Sequence, residues 1–434
     1  MKVLHTRAVQ VREQILRFND GLPEQDRLLK YEKMAQSPFI FFRGTSHLYW
    51  HDVSRDWRIS LFGGRPESQI WLQGDAHIYN FGALHDHQDR IYFGMDDFDD
   101  AVVADFQFDL WRLAASMVLD LQERTFCSDE LIDKAVKKLG LAYLETVAAA
   151  EEPYPAVRLE HAPEQIRKFL QKVHKKNSRV RMLQKWTGDN PRTFDYQHEK
   201  LEAVEDDLFL TIQHAINDYH ETRTGVVDEV PQVLDIARRT QAGTGSLGSQ
   251  RYYALIDGGA PDEHIILDIK QQREPASVAV MPESEQYWYR ETFTHEGRRH
   301  ADAFKAIAEH PDSWLGWLSI DGTLFSVRER SPFKKDYPAH KLNADAYLEM
   351  ATIWGEVLGR EHARGSFCVQ EPETAFVQFI RDNVLPDKKA FLRLLRAIAP
   401  HYARCVQQDW QIFLSMTGNT TEIQGAGENA GTCT

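Results

Sequence analysis

The chain has 434 residues, 42% of them hydrophobic, with 65 acidic against 51 basic side chains and a formal net charge of −14. That length and apolar content suffice for a sizeable core in one bilobal unit or two to three domains, and the acidity excludes the broad basic face with which a general nucleic-acid binder displaces counterions. No apolar run approaches the roughly 20 residues of a membrane span, and residues 1–7 lack the apolar core of a signal peptide, so neither nucleic acid nor membrane is an expected partner and the expected compartment is the cytoplasm.

Residues 5–35 read as helix with a turn at Asp20-Gly21-Leu22-Pro23. Ser37 to Gly44 is an apolar segment ending in Arg43, which suits either a structural ion pair or a contact to a planar anion. Next come an apolar run to Leu72, the polar turn Gln73-Gly74-Asp75-Ala76-His77-Ile78-Tyr79-Asn80, and two apolar stretches flanking Leu84 to Arg90, which is a hairpin signal. The hairpin brings Asn80 and Asp97 side by side at its open end. His85 and His87 at its tip read as a solvated turn rather than a metal site, with only Asp86 and Asp89 for company. Apolar residues at 110, 113, 114, 117, 118 and 121 mark a broadly buried helix. Asp109 at its start either favours the helix terminus or reaches the backbone of the Gly74-Asp75 turn.

From 129 to 235 the chain is mostly helical and polar, with a basic run over 172–181 that reads as a solvated face more readily than as an anion site. At 241–256 a glycine-rich turn runs into a strand, a second strand covers 264–270, and a helix spans 284–309. Two short strands surround Asp321-Gly322. Helices follow, one of them ending at Gly365, and others at 373–383, 388–398 and 401–415; the small polar residues after Gly418 form an expected disordered tail. The four cysteines, Cys127, Cys368, Cys405 and Cys433, show neither zinc spacing nor a disulfide framework.

The chemistry sits at Asp75, Asn80 and Asp97. One carboxylate to orient or deprotonate a hydroxyl, with an amide and a second carboxylate for divalent ions, is the layout of a phosphoryl-transfer site. The glycines at 243, 245 and 248 lead into a strand rather than a helix, which disfavours a dinucleotide-binding turn and suits a hairpin over phosphates, with Lys270 on the next strand pointing at them.

Gly74-Asp75-Ala76-His77-Ile78-Tyr79-Asn80, Asp97-Phe98-Asp99 and Phe108-Asp109-Leu110 resemble the catalytic stretch of the aminoglycoside phosphotransferase and choline kinase branch, with Gln73 where that branch usually has histidine. Over residues 25–415 the chain resembles a bacterial family known as domain of unknown function 2252, grouped with kinase-like proteins; Ser37-Pro38-Phe39, Phe42-Arg43-Gly44, Asp109 to Ala114, Gly243 to Gly248, Ile269-Lys270 and His362-Ala363-Arg364 complete that resemblance. It implies an α+β, bilobal, protein-kinase-like fold with extra helices, circularly permuted so that the catalytic half precedes the β-rich half. The implied divisions are 1–235 and 335–417 for the helical lobe, 236–334 for the β-rich nucleotide-binding segment and 418–434 for the tail.

By this resemblance Asp75 is the catalytic base, and His77 braces the catalytic turn. Asn80 and Asp97 hold Mg²⁺, with Asp99 as an extra ligand. Gly243, Thr244, Gly245, Ser246 and Gly248 cover the ATP phosphates, Lys270 pairs with them, and its acidic partner is one of Glu274, Glu291, Glu296 or Asp302. The adenine stacks near the connector after Val327. The expected activity is ATP-dependent phosphoryl transfer to a small hydroxylated acceptor, with a pocket between residues 172–181 and the C-terminal helices. The alternatives are nucleotidyl transfer, a nucleotide-binding pseudoenzyme and a metal-dependent hydrolase built on Asp75, His77 and the acids at 96–100.

Overall fold

In a computed structural model the described residues are 2–86, 88–151, 155–224, 230–240 and 248–418, with side chains from residue 6 onward. The N-terminal helices are α1 (Lys2–Phe18), α2 (Glu24–Met34), α3 (Pro38–Gly44) and α4 (Ser46–Val53). The apolar segment at 38–44 is therefore helical, with Pro38 in its first turn and the Ser37 hydroxyl accepting from the Ile40 N–H at 3.2 Å. Strands β1 (Gln69–Leu72), β2 (Phe81–His85), β3 (Ile91–Met95) and β4 (Val102–Asp105) then lead into α5 (Gln107–Gln122) and α6 (Asp129–Ala149).

A middle section holds β5 (Val157–Arg158), α7 (Glu164–Lys176), α8 (Arg179–Thr187), β6 (Leu201–Ala203) and α9 (Asp206–Tyr219). It is followed by β7 (Val233–Arg239), β8 (Arg251–Ile256), β9 (Ile265–Gln271), α10 (Glu283–Thr292), α11 (Glu296–Ile307), β10 (Gly316–Ile320) and β11 (Thr323–Glu329). The chain closes with β12 (Lys335–Asp336), α12 (Ala344–Phe367), α13 (Ala375–Phe379) and α14 (Lys388–Thr417).

The architecture is mixed α+β with three sheets among the described residues. A six-stranded antiparallel sheet has the order β10-β11-β9-β8-β7-β6; a four-stranded one runs β12-β2-β3-β5, and β1 pairs with β4 alone. In the six-stranded sheet, alternate side chains serve two cores. Tyr252, Ala254, Leu267 and Ile269 pack with Ile212 and Ile216 of α9 on one face, while Tyr253, Leu255 and Ile266 meet Met182, Leu183 and Trp186 of α8 on the other. Asp268 and Lys270 continue that second face along β9. The β10–β11 turn is the expected two-residue Asp-Gly hairpin: Ile320 pairs with Thr323, and Asp321 and Gly322 have φ of 47° and 75°.

Three helical expectations shift for identifiable reasons. The helix expected over 284–309 is two, because the His295 side chain caps a new start by accepting from the Arg298 N–H at 3.3 Å. Gly365 does not end α12; a Cβ there would come 3.0 Å from the Trp71 carbonyl, so the glycine permits close packing on β1. Pro400 sits inside α14 rather than between two helices, since Leu395, Ile398, Ala403 and Val406 bury one continuous face across it. No described helix is long and apolar enough to cross a membrane.

Candidate functional site

Because β1 pairs with β4 and β2 with β3, the connecting segments 73–80 and 96–101 leave their strands together and run side by side. Phe81 stands opposite Met95, and the Asn80 carbonyl accepts from the Asp96 N–H at 3.1 Å. Gly74 adopts φ +85°, and a Cβ there would lie 1.9 Å from the Asp100 carbonyl oxygen, so glycine is required for the two turns to touch. Asp109 braces the first turn: its carboxylate accepts the Gln73 and Gly74 N–H groups at 2.7 and 3.1 Å. Behind it, His362 Nε2 lies 3.4 Å from Asp109 Oδ2, and the Tyr143 hydroxyl lies 2.9 Å from His362 Nδ1. Of the two roles open to Asp109, the backbone contact is the one found.

Asp75 projects from this turn. Arg112, fully buried on α5, donates from Nε to Asp75 Oδ1 at 2.6 Å and from Nη2 to the Phe42 carbonyl at 3.2 Å. Burial pushes the Asp75 carboxyl up to about 7 against the pull of Arg112, with Asp100 and Asp97 adding to the rise. The result is a carboxylate of near-neutral basicity held in one orientation. His77 is buried, with Arg43 Nε 3.1 Å from its Nε2 and the Tyr79 N–H 3.2 Å from its Nδ1. Burial, then the Arg43 and Arg112 charges, hold the imidazole well below its usual pKa, which makes it a neutral brace rather than a proton carrier. Asn80 Nδ2 donates to the Asp75 carbonyl at 3.1 Å, and no described residue hydrogen-bonds its Oδ1.

On the second turn, burial and neighbouring Asp99 raise the Asp97 carboxyl above its usual range. Asp99 behaves oppositely. Burial would raise it, but Lys270 Nζ bonds its Oδ2, Gln272 Nε2 donates to its Oδ1 at 3.0 Å, and its pKa falls well below the ordinary value. The acidic partner of Lys270 is therefore Asp99. Of the acids expected to pair with it, Glu296 binds Arg299 and Tyr289, Glu274 binds Arg290, Asp302 faces Arg298, and Glu291 is exposed.

The second turn is fastened to α11 by Arg299, whose side chain is fully buried. Its guanidinium donates to the Asp99 and Ala101 carbonyls at 2.7 and 2.8 Å and to Glu296 at 2.6 Å. Asp75, His77, Asp97, Asp99 and Lys270 thus line one cleft of about 300 Å³, roofed by Phe18, Leu22 and Lys30 from the α1–α2 region. Gly248, with φ +75°, abuts Leu22 closely, and its carbonyl accepts from Arg273 Nη2 at 2.9 Å. Gly243, Thr244, Gly245 and Ser246 lie outside the described residues.

Arg112 and Arg299 hold the two turns in place, and sequence reasoning assigned neither of them a role. The signal for Arg112 was available, the single cation on the broadly buried face of this helix. His85 also departs from expectation: it is buried and contacts Glu329 and Asp89 at 3.5 and 3.8 Å. Those three could hold a metal ion by their spacing. Arg179 already pairs with Glu329 at 2.5 Å and with Asp89 at 3.3 Å, so it supplies the positive charge. This also gives Arg179, in the basic run, a structural partner.

Glu361 on α12 accepts from the Met95 N–H at 3.0 Å, just before the second turn, and its other oxygen is buried without a partner. Burial raises its carboxyl to about 8 from an ordinary 4.5. The folded state therefore prefers the protonated acid, and stability is lost as pH rises from the ordinary value through about 8. Glu361→Gln is expected to be more stable than wild type by roughly 2–4 kcal/mol at alkaline pH and nearly equal to it at mildly acidic pH, as read by urea unfolding at both.

Comparison with curated proteins and with solved structures returns no match. The family model described as "Uncharacterized protein conserved in bacteria (DUF2252)" matches residues 24–416, which takes in both turns, α5, the six-stranded sheet and α12. The chain therefore belongs to the DUF2252 family.

Proposed function

We propose that the protein is an ATP- and Mg²⁺-dependent phosphotransferase, of a kinase-like and circularly permuted bilobal fold, that acts on a small hydroxylated acceptor. The observation that carries this reading is the convergence of Asp75, Asp97, Asp99 and Lys270 in one cleft, although Lys270 and Asp99 are 171 residues apart in the chain. The sheet arrangement supports it. Lys270 lies on the strand after the β7–β8 hairpin, α11 and the β10–β11 hairpin follow, and Arg299 of α11 grips the metal-binding turn. The same parts occur in kinases with the catalytic half second, and exchange of the order is tolerated where termini lie at the surface.

Asn80 Oδ1 and the Asp97 carboxylate would supply two oxygen donors of the kind Mg²⁺ takes. The metal would neutralise the triphosphate. Asp75, oriented by Arg112, accepts the acceptor's hydroxyl proton as that oxygen bonds to the γ-phosphorus. The bond from phosphorus to the β–γ bridging oxygen breaks, and ADP departs with its electron pair. Lys270, aimed by Asp99, pairs with the phosphates.

Lys270→Ala tests this against the hydrolase alternative. Mg²⁺-dependent ATP consumption is expected to fall about 100-fold, on the scale of losing one preorganised charged donor. A hydrolase built on Asp75, His77 and the acids at 96–100 would nearly keep its rate and need no ATP, and that outcome would overturn the proposal.

A further inference from the structure

A larger cavity of about 730 Å³ adjoins the cleft, bounded by α1, α4 and residues 274–282, and shares Phe18, Glu274 and Ala276 with it. Its polar wall is cationic. Arg17 and Arg55 line it with no hydrogen-bond or ion-pair partner among the described residues. The only carboxylate on its wall, Glu274, is held by Arg290 at 3.0 Å. In the adjoining cleft stands Lys30, 4% exposed, its ammonium 5.1 Å from the centre of the Phe18 ring, hydrogen-bonded to no described residue and within the field of the Asp100 carboxylate. Phe18 in turn lies flat against His47 at 4.0 Å, and neither nitrogen of that buried ring finds a partner.

In a chain with 14 more acids than bases, cations are expected to find carboxylates. Elsewhere in this molecule many do: Arg7 with Asp52 and Asp409, Arg158 with Asp86 and Glu309, Arg251 with Asp268. Two exposed arginines without a carboxylate partner on the wall of a cavity, and a buried lysine without a hydrogen-bond partner in the cleft it adjoins, make a recognition surface for an anion. We propose that this cavity binds the anionic end of the acceptor, a phosphate or a carboxylate, while Lys30 and Phe18 guide its hydroxyl into the cleft toward Asp75. The proposal rests on the phosphotransferase reading and narrows it to hydroxylated acids and phosphate esters. It also moves the acceptor from the region between residues 172–181 and the C-terminal helices to the α1–α4 side.

The test measures inorganic phosphate binding by equilibrium dialysis, with Mg²⁺ and a non-hydrolysable ATP analogue present so that the nucleotide's own phosphate positions are filled. Wild type, Arg17→Gln/Arg55→Gln, Lys30→Met and, as a control in the exposed basic run, Lys172→Gln are compared. Wild type and the control are expected to bind phosphate, with affinity reduced at least tenfold in the double variant and in Lys30→Met. Acetate used as the competitor separates a carboxylate-selective site from a phosphate-selective one.

Absence of phosphate and acetate binding, or equal binding in all four proteins, would overturn the anionic-acceptor proposal. The analogue is titrated separately into the same samples. If it fails to bind while phosphate binding and its loss in the variants persist, the phosphotransferase reading falls and the anion site remains.

Discussion

Asp75→Asn is expected to lower phosphoryl transfer by about 10²–10⁴-fold, the range for removing a positioned general base, while binding of the Mg²⁺–nucleotide complex stays close to wild type. The amide keeps the shape of the side chain and its contact with Arg112 but cannot take up the acceptor's proton. A stopped assay of transfer, with nucleotide titration on the same preparation, separates the two effects. The pH dependence gives a second readout. In this account transfer requires the ionised form of a carboxyl whose pKa burial raises to about 7 in spite of Arg112, which lowers it, so kcat/KM should fall as pH drops through that value. An acid limb at the ordinary carboxylate range, or a variant with unimpaired transfer, would remove Asp75 from the chemistry.

The second large effect concerns Arg299→Met. Its buried guanidinium holds the Asp99 and Ala101 carbonyls and pairs with Glu296. The substitution leaves carbonyls and a carboxylate short of donors inside the protein. A cost of about 3–5 kcal/mol in unfolding free energy is expected, as for other buried ion pairs that lose one member. Nucleotide affinity should fall with it, because the second turn loses its tie to α11. Arg298→Met on the same helix is the control: its side chain is 55% exposed and faces Asp302 at 3.4 Å, an interaction of at most about 1 kcal/mol. Equal denaturation midpoints for the two variants would show that Arg299 is not the clamp described.

The sequence located the turns better than the packing around them. Asp75, Asn80, Asp97 and Asp99 lie in two short motifs whose spacing reflects one turn and one hairpin, so local chemistry sufficed to single them out. Lys270 was singled out because the strand after a glycine-rich turn suits a lysine aimed at a nucleotide's phosphates. Its partner was misjudged, since pairing with Asp99 depends on how β9 meets a turn far away in the chain. Arg112 and Arg299 likewise acquire their contacts only through tertiary packing, one under α3 and α4 and the other beneath the turn at residues 96–101. His85 looked solvated beside Asp86 and Asp89 because Glu329, which it contacts, and Arg179, which pairs with Glu329, are distant in sequence. Gly365 and Pro400 carried strong local meanings as helix punctuation, and burial against neighbouring elements overrode both.

The most direct test of the central claim is calorimetric titration of ATP with and without Mg²⁺ into the wild type and Asp97→Asn. The account predicts binding that requires Mg²⁺ and is weakened in the variant, because Asp97 supplies one of the two protein oxygens assigned to the metal. Absence of ATP binding in the wild type, or binding that ignores both Mg²⁺ and the Asp97 substitution, would contradict it.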